Sequence, residues 1–220
     1  MQPSNRQLRV LGQTVDDDTL RADLEKYVKI ALELGASGAT VVPVCEIVVD
    51  ERVRLKCAVP RCNHLGATPN CPPYAPDLDL VRKALQRYLF SILFKCDVGP
   101  AEDYMPRPAP TDEQRMRALS FHAQSARLAG ELERQAFKDG YHLSMALGGG
   151  SCKDYLCHGE PCQYLETGRC RFPYQARPSM EAMGIDVMRL ICWAGWEAFA
   201  YVGEVQEPPT PVTVGILFVC

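Results

Sequence analysis

The chain has 220 residues, 47% of them hydrophobic and 23% charged, with a formal net charge of −3. Such a chain can bury a sizeable core as one soluble domain spanning residues 1–220, without covalent staples. The weak negative charge leaves no electrostatic footprint for nucleic acid. The leading MQPSNRQLRVLGQTVDDD has no apolar h-region and no small-residue cleavage site. The richest apolar run, RLICWAGWEAFAYVG, is interrupted by Glu197, short of the ~18–20 residues a spanning helix needs. A cytoplasmic protein with neither membrane nor nucleic-acid partners is expected.

Residues 1–15 read as a loosely ordered lead-in. Asp16–Asp18 then open a helix whose stripe is Leu20, Leu24, Tyr27, Val28, Ala31 and Leu34, with Gly35 closing it. ATVVPVCEIVVDERVRLKC is β-branched and predicts one or two strands, with Pro43 forcing an edge or a bulge. Residues 57–76 predict an ordered loop. Asp77 is placed to cap a helix carrying Leu78, Val81, Leu85, Tyr88 and Leu89, and LFSILFKCDV predicts a strand. GPAEDYMPRPAP predicts a surface connection. Thr111 and Gln114 form a capping-box pair for one long polar helix from about Asp112 to Asp139. YHLSMALGGG predicts a strand running into a glycine turn, Ser179 the cap of a short helix, and PVTVGILFVC a closing strand. The fold class is therefore α/β or α+β, with a central mixed sheet, flanking helices and two long cysteine-rich loops, 57–76 and 148–173.

Eleven cysteines are present, an odd number and far above ordinary usage. In a reducing compartment, clustered cysteines serve as metal ligands or redox groups more often than as disulfides. Cys45, Cys96, Cys192 and Cys220 stand alone in apolar sequence and read as small buried hydrophobes. The other seven form two sets. Cys152, Cys157, Cys162 and Cys170 follow the pattern C-x4-C-x4-C-x7-C within nineteen residues. Spacers holding Gly159, Pro161 and Gly168 let the chain wrap one centre from four sides, and Gly148–Gly150 lets backbone pass close to a large ligand. Thiolates suit both zinc and iron–sulfur clusters; structural zinc favours C-x2–4-C knuckles paired at a distance, which this tight wrap matches only loosely. His158 reads as a bystander, since four sulfurs complete a shell.

Cys57, Cys62 and Cys71 follow C-x4-C-x8-C in a turn-rich stretch. Three thiolates need a fourth ligand or leave an open position. The candidates are His64, a distant Cys96 or Cys45, or an external molecule. A complete shell carries electrons, whereas an open one can bind and polarise a substrate. Arg54, Lys56 and Arg61 either stabilise thiolates or are solvated. His122 and His142 read as structural, Trp193 and Trp196 as core packing on a helical face, and Arg177 as a partner of a cluster or acid, or a surface residue.

KCAVPRCNHLGATPNCPPYAPD, with CRFPYQARPSMEAMGIDV far downstream, resembles an uncharacterised bacterial and archaeal family of predicted metal-binding proteins. The resemblance covers roughly residues 40–195 and rests on the C-x4-C-x8-C-P-P segment, a glycine-led cysteine cluster and the ARPSMEA-GIDV signature. The first two gaps of the second set are wider than the C-x2-C-like spacing of that family. The resemblance implies a metal held by Cys57, Cys62 and Cys71 and by Cys152, Cys157, Cys162 and Cys170, and no particular reaction. The expected cofactor is one or two [4Fe-4S]-type clusters, in electron transfer or redox chemistry with a redox partner protein or small-molecule substrate. The alternatives are an enzyme with an open three-cysteine site and a zinc-stabilised binding module.

Overall fold

Alternation along FSILFKCD sends Ile92, Phe94 and Cys96 to one face of a sheet and Leu93 to the other, and that division organises the protein. The structure, a computed structural model, describes residues 9, 11–12, 14–99, 111–198 and 210–220. Its four strands are β1 (Gly38–Pro43), β2 (Phe90–Asp97), β3 (Met145–Leu147) and β4 (Val212–Phe218), in the order β1-β2-β4-β3. Every strand pair is antiparallel. The parallel component expected from the sequence is limited to an isolated bridge between Gly148 and Ser179.

Helices cover both faces. α1 (Asp17–Glu33) begins where the Asp16 carboxylate accepts from Thr19 N, and its stripe of Leu20, Leu24, Tyr27 and Ala31 is buried. With α5 (Ala123–Lys138) it packs on Ile92, Phe94, Ala146 and Leu217. The opposite face holds α3 (Leu78–Leu85), the tight turn Glu181–Met183 and α8 (Val187–Trp193) against Val42, Leu93, Val214, Ile216 and Phe218. Asp77 caps α3 through Leu80 N, and Ser179 Oγ accepts from Ala182 N at the tight turn.

Three expectations are corrected. Beyond β1 the β-branched run ends in a 3-10 turn, Val44–Glu46, and a helix, α2 (Glu51–Leu55); Asp50 accepts from Arg52 N and stops an extended course. The long polar helix is two: α4 (Asp112–Ser120), with the Thr111–Gln114 capping box, and α5. The break is at Phe121–His122, where the imidazole turns inward and its Nδ1 meets Thr213 Oγ1 at 2.7 Å. Trp193 and Trp196 do not share a helical core face: α8 ends at Trp193, which is exposed, while Trp196 lies beyond it beneath the Lys95 ammonium. A fourth correction concerns the lone cysteines: Cys96 is buried and Cys220 half-buried, but Cys45 and Cys192 are exposed and do not serve as small buried hydrophobes. The connection expected at 99–110 and most of the 1–15 lead-in lie outside the described residues.

At the sheet's centre Phe94 directly opposes Gly215. A Cβ on Gly215 would stand 2.4 Å from Phe94 Cζ and 3.0 Å from the Leu147 carbonyl, so the aromatic ring occupies the space a side chain would need. Gly215→Ala should destabilise the protein by about 1–3 kcal/mol through overpacking. A urea melt should show a lower midpoint at unchanged slope.

Candidate metal centre

The first cysteine loop is clamped at its base. α2 delivers the chain to Cys57, and the Arg54 guanidinium reaches across to donate to the carbonyls of Ala75 (3.2 Å) and Pro76 (3.1 Å). Inside the clamp the backbone turns on itself: Cys62 N donates to Cys57 O, Leu65 N to Cys62 O, and both Tyr74 N and Ala75 N to Cys71 O. These turns bring Cys57, Cys62 and Cys71 to the wall of a cavity of about 210 Å³, with His64, His122, Ser151 and Glu181 completing much of the rest.

The second loop leaves β3 through the glycine turn. Gly148 exchanges backbone hydrogen bonds with Pro178 O and Met180 N, tying the turn to the ARPSMEA segment. Ser151 caps α6 (Cys152–Tyr155), and Cys162 stands at the N-cap of α7 (Gln163–Thr167), which Gly168 ends in a left-handed conformation. Arg171 donates to Pro161 O at 2.8 Å and closes the loop. Cys152, Cys157, Cys162 and Cys170 line a second cavity, of about 310 Å³.

The two cavities share a wall. Asn70 Nδ2 donates to Cys152 Sγ at 3.6 Å, and Cys71 Sγ stands 3.7 Å from Ser151 Oγ. Each loop thus presents the residue preceding its own cysteine to the cysteine of the other. Backbone donors approach two further sulfurs: His64 N to Cys62 Sγ at 3.4 Å and Phe172 N to Cys170 Sγ at 3.3 Å. N–H groups aimed at sulfur favour its anionic form. Burial acts the other way, pushing the Cys152 thiol up to about 11 and raising that of Cys57. A metal would reverse that balance, because a coordinating thiol is deprotonated outright.

The sequence reading missed the polar wall. His122 faces the first cavity; burial pushes it down to about 4, so its ring is neutral. Glu181 also lines that cavity, and burial raises its carboxyl pKa. Asp154, on α6, lies 3.0 Å from His64 Nε2. Of these, only Asp154 carried a signal in the sequence, its place between Cys152 and Cys157. Cys96 and Cys45 are absent from the cavity wall, and His158 is exposed. Arg177 pairs with an acid: its Nη2 is 2.6 Å from Glu133 Oε1, while Glu133 Oε2 accepts from Ala146 N on edge strand β3. Among the described residues, no three His, Cys, Asp or Glu side chains converge on one position a single ion could take.

Residues 40–219 match the family DUF2284, described as a predicted metal-binding protein. The chain belongs to this family. Metal binding is thus the property that the match and the cysteine-rich composition jointly support. Neither curated proteins nor solved structures gave a match. Among the described residues, no helix is long and apolar enough to cross a membrane.

The family's metal, if the cavities hold it, depends on the glycine turn. Gly150 has φ +63°, and a Cβ there would lie 2.1 Å from His122 Cδ2. Gly150→Ala should therefore destabilise by about 2 kcal/mol or more, from strain plus overlap. It should also lower metal content per chain, read by elemental analysis of folded protein.

Proposed function

We propose that this member of DUF2284 is a two-centre iron–sulfur protein that transfers electrons. Cys57, Cys62 and Cys71 hold one [4Fe-4S]-type cluster, and Cys152, Cys157, Cys162 and Cys170 hold the other. The observation that carries this reading is the pair of adjoining cavities, each lined by one complete cysteine set. A tetrahedral zinc with Zn–S bonds of ~2.3 Å needs its sulfurs about 3.8 Å apart around one point. Cysteines spread along the walls of cavities of about 210 and 310 Å³ suit a larger multi-atom centre. The N–H groups directed at Cys62, Cys152 and Cys170 sulfurs suit electron-rich thiolates, and hydrogen bonds to sulfur are a known control of cluster potential.

A cluster held in each cavity would supply one-electron chemistry. The chain's contribution is to tune the centres and set them on either side of the Asn70–Cys71 and Ser151–Cys152 wall. The electron acceptor would be a redox partner protein or a small molecule. A second reading, an enzyme with an open three-cysteine site, is favoured by the polar groups Glu181 and Ser179 on the first cavity's wall.

Anaerobic purification, an optical spectrum and quantification of iron, acid-labile sulfide and zinc test the proposal. A brown protein absorbing near ~400 nm, with about eight iron and eight sulfide per chain, is expected of two cubanes. About four of each would leave one loop without a cluster, and stoichiometric zinc in a colourless protein would overturn the reading. Cys152→Ser should remove one centre and leave about half the iron; loss of all iron from folded protein would contradict two separate sites. Asn70→Ala removes one donor to Cys152 sulfur. At roughly 1 kcal/mol for such a bond, it should lower one midpoint potential by about 40 mV in a redox titration and leave the other nearly unchanged.

A further inference from the structure

His64 lines the first cavity together with Cys57, Cys62 and Cys71. Its Nδ1 is buried and has no hydrogen-bond partner. A buried polar atom left in that state is costly, and native proteins keep few of them without a reason. The ring's other nitrogen is provided for: Nε2 lies 3.0 Å from Asp154 Oδ2. Asp154 holds the ring through Nε2, and Nδ1 is the nitrogen left without a partner.

Building on the two-centre reading, we propose that His64, through Nδ1, is the fourth protein ligand of the centre held by Cys57, Cys62 and Cys71, with Asp154 as the residue that positions its ring. A carboxylate on the far nitrogen is the usual support of a metal-bound histidine, fixing both tautomer and orientation. Cys96 packs in the α1–α5 core and Cys45 is exposed, and neither stands on the cavity wall; His122, held through Nδ1 by Thr213 Oγ1, is the rival nitrogen on that wall, and among the described residues it has no carboxylate partner like that of His64. Asp154 stands on α6, between Cys152 and Cys157 of the second set. The second cysteine loop therefore orients a ligand of the first centre, and disturbing one centre reaches the other through this contact. A complete Cys3His shell makes the first centre an electron carrier in place of an open substrate site. Its potential should lie above that of an all-cysteine centre, because imidazole brings no negative charge.

The test is pulsed electron paramagnetic resonance on the reduced, anaerobically purified protein with and without ¹⁵N-labelled histidine. A strongly coupled histidine nitrogen is expected in the wild type and in His122→Asn. It should be absent from His64→Cys, which supplies a fourth sulfur and retains the iron. Asp154→Asn should change the coupling while leaving the nitrogen bound. A wild-type spectrum without histidine nitrogen, or a coupling that survives His64→Ala, would overturn the assignment. Were the metal zinc, the iron–sulfur reading would fail by itself, and the ligand would be read from zinc-edge X-ray absorption. A nitrogen in that shell lost in His64→Cys would uphold His64, and an unchanged shell would reject it.

Discussion

The crossing of the two cysteine loops is the contact on which the functional half of the molecule depends. Asn70 and Cys71 meet Ser151 and Cys152 across about eighty residues of sequence. Neither bond is strong. Their weight comes from position, since each loop supplies part of the wall around the other's cysteines. Fixing a residue's backbone costs about 1–2 kcal/mol of entropy. The described apolar packing beside these loops is slight, a small cluster of Ala126, Cys152 and Tyr155. Sheet and helices hold the ends of the loops; metal ligation is the interaction available to hold their middles.

The sheet prepares that crossing from one edge. β3 is short, and its outward N–H at Ala146 is taken by Glu133 of α5, which also binds Arg177. One carboxylate thereby joins the helix, the edge strand and the segment that follows the second cysteine set. The chain passes from β3 into Gly148–Gly150, where Gly148 lies against Ala126 and Gly150 against His122. The inward turn of His122, which splits the polar helix in two, is what brings a ring to that turn. The helix break, the glycines and Thr213 on β4 are parts of one arrangement.

Much of this was legible in the sequence, for physical reasons that differ by element. Caps are local chemistry, so Asp16, Asp77, Thr111 and Ser179 could be read directly. β2 and β4 were legible as continuous apolar runs and α1 as a helical stripe because each packs on a continuous core. Cys57, Cys62 and Cys71 could be grouped by spacing, as could the second set, and each group does line one cavity. The failures were non-local. DERVRL has β-branched neighbours but is helical because Asp50 caps it. The break at His122 depends on Thr213, ninety-one positions away. Nothing near His64 in sequence announces Asp154, and nothing near Asn70 announces Cys152.

Placing two thiolate-rich centres side by side has an electrostatic consequence under the proposed reading. Charges separated by ~10 Å at an effective dielectric of ~20 interact by about 1.7 kcal/mol. An electron arriving on one centre therefore raises the cost of placing a second on its neighbour, and two chemically similar clusters would split into a higher and a lower potential. The chain already distinguishes them. The first has Arg54 close enough to favour the Cys57 thiolate and has one sulfur fewer, while the second has four sulfurs, one of them, Cys152, strongly buried. Both differences favour reduction of the first centre before the second. On the proposed reading, the donor sets themselves would set the direction of electron flow, across the wall that Asn70–Cys71 and Ser151–Cys152 form.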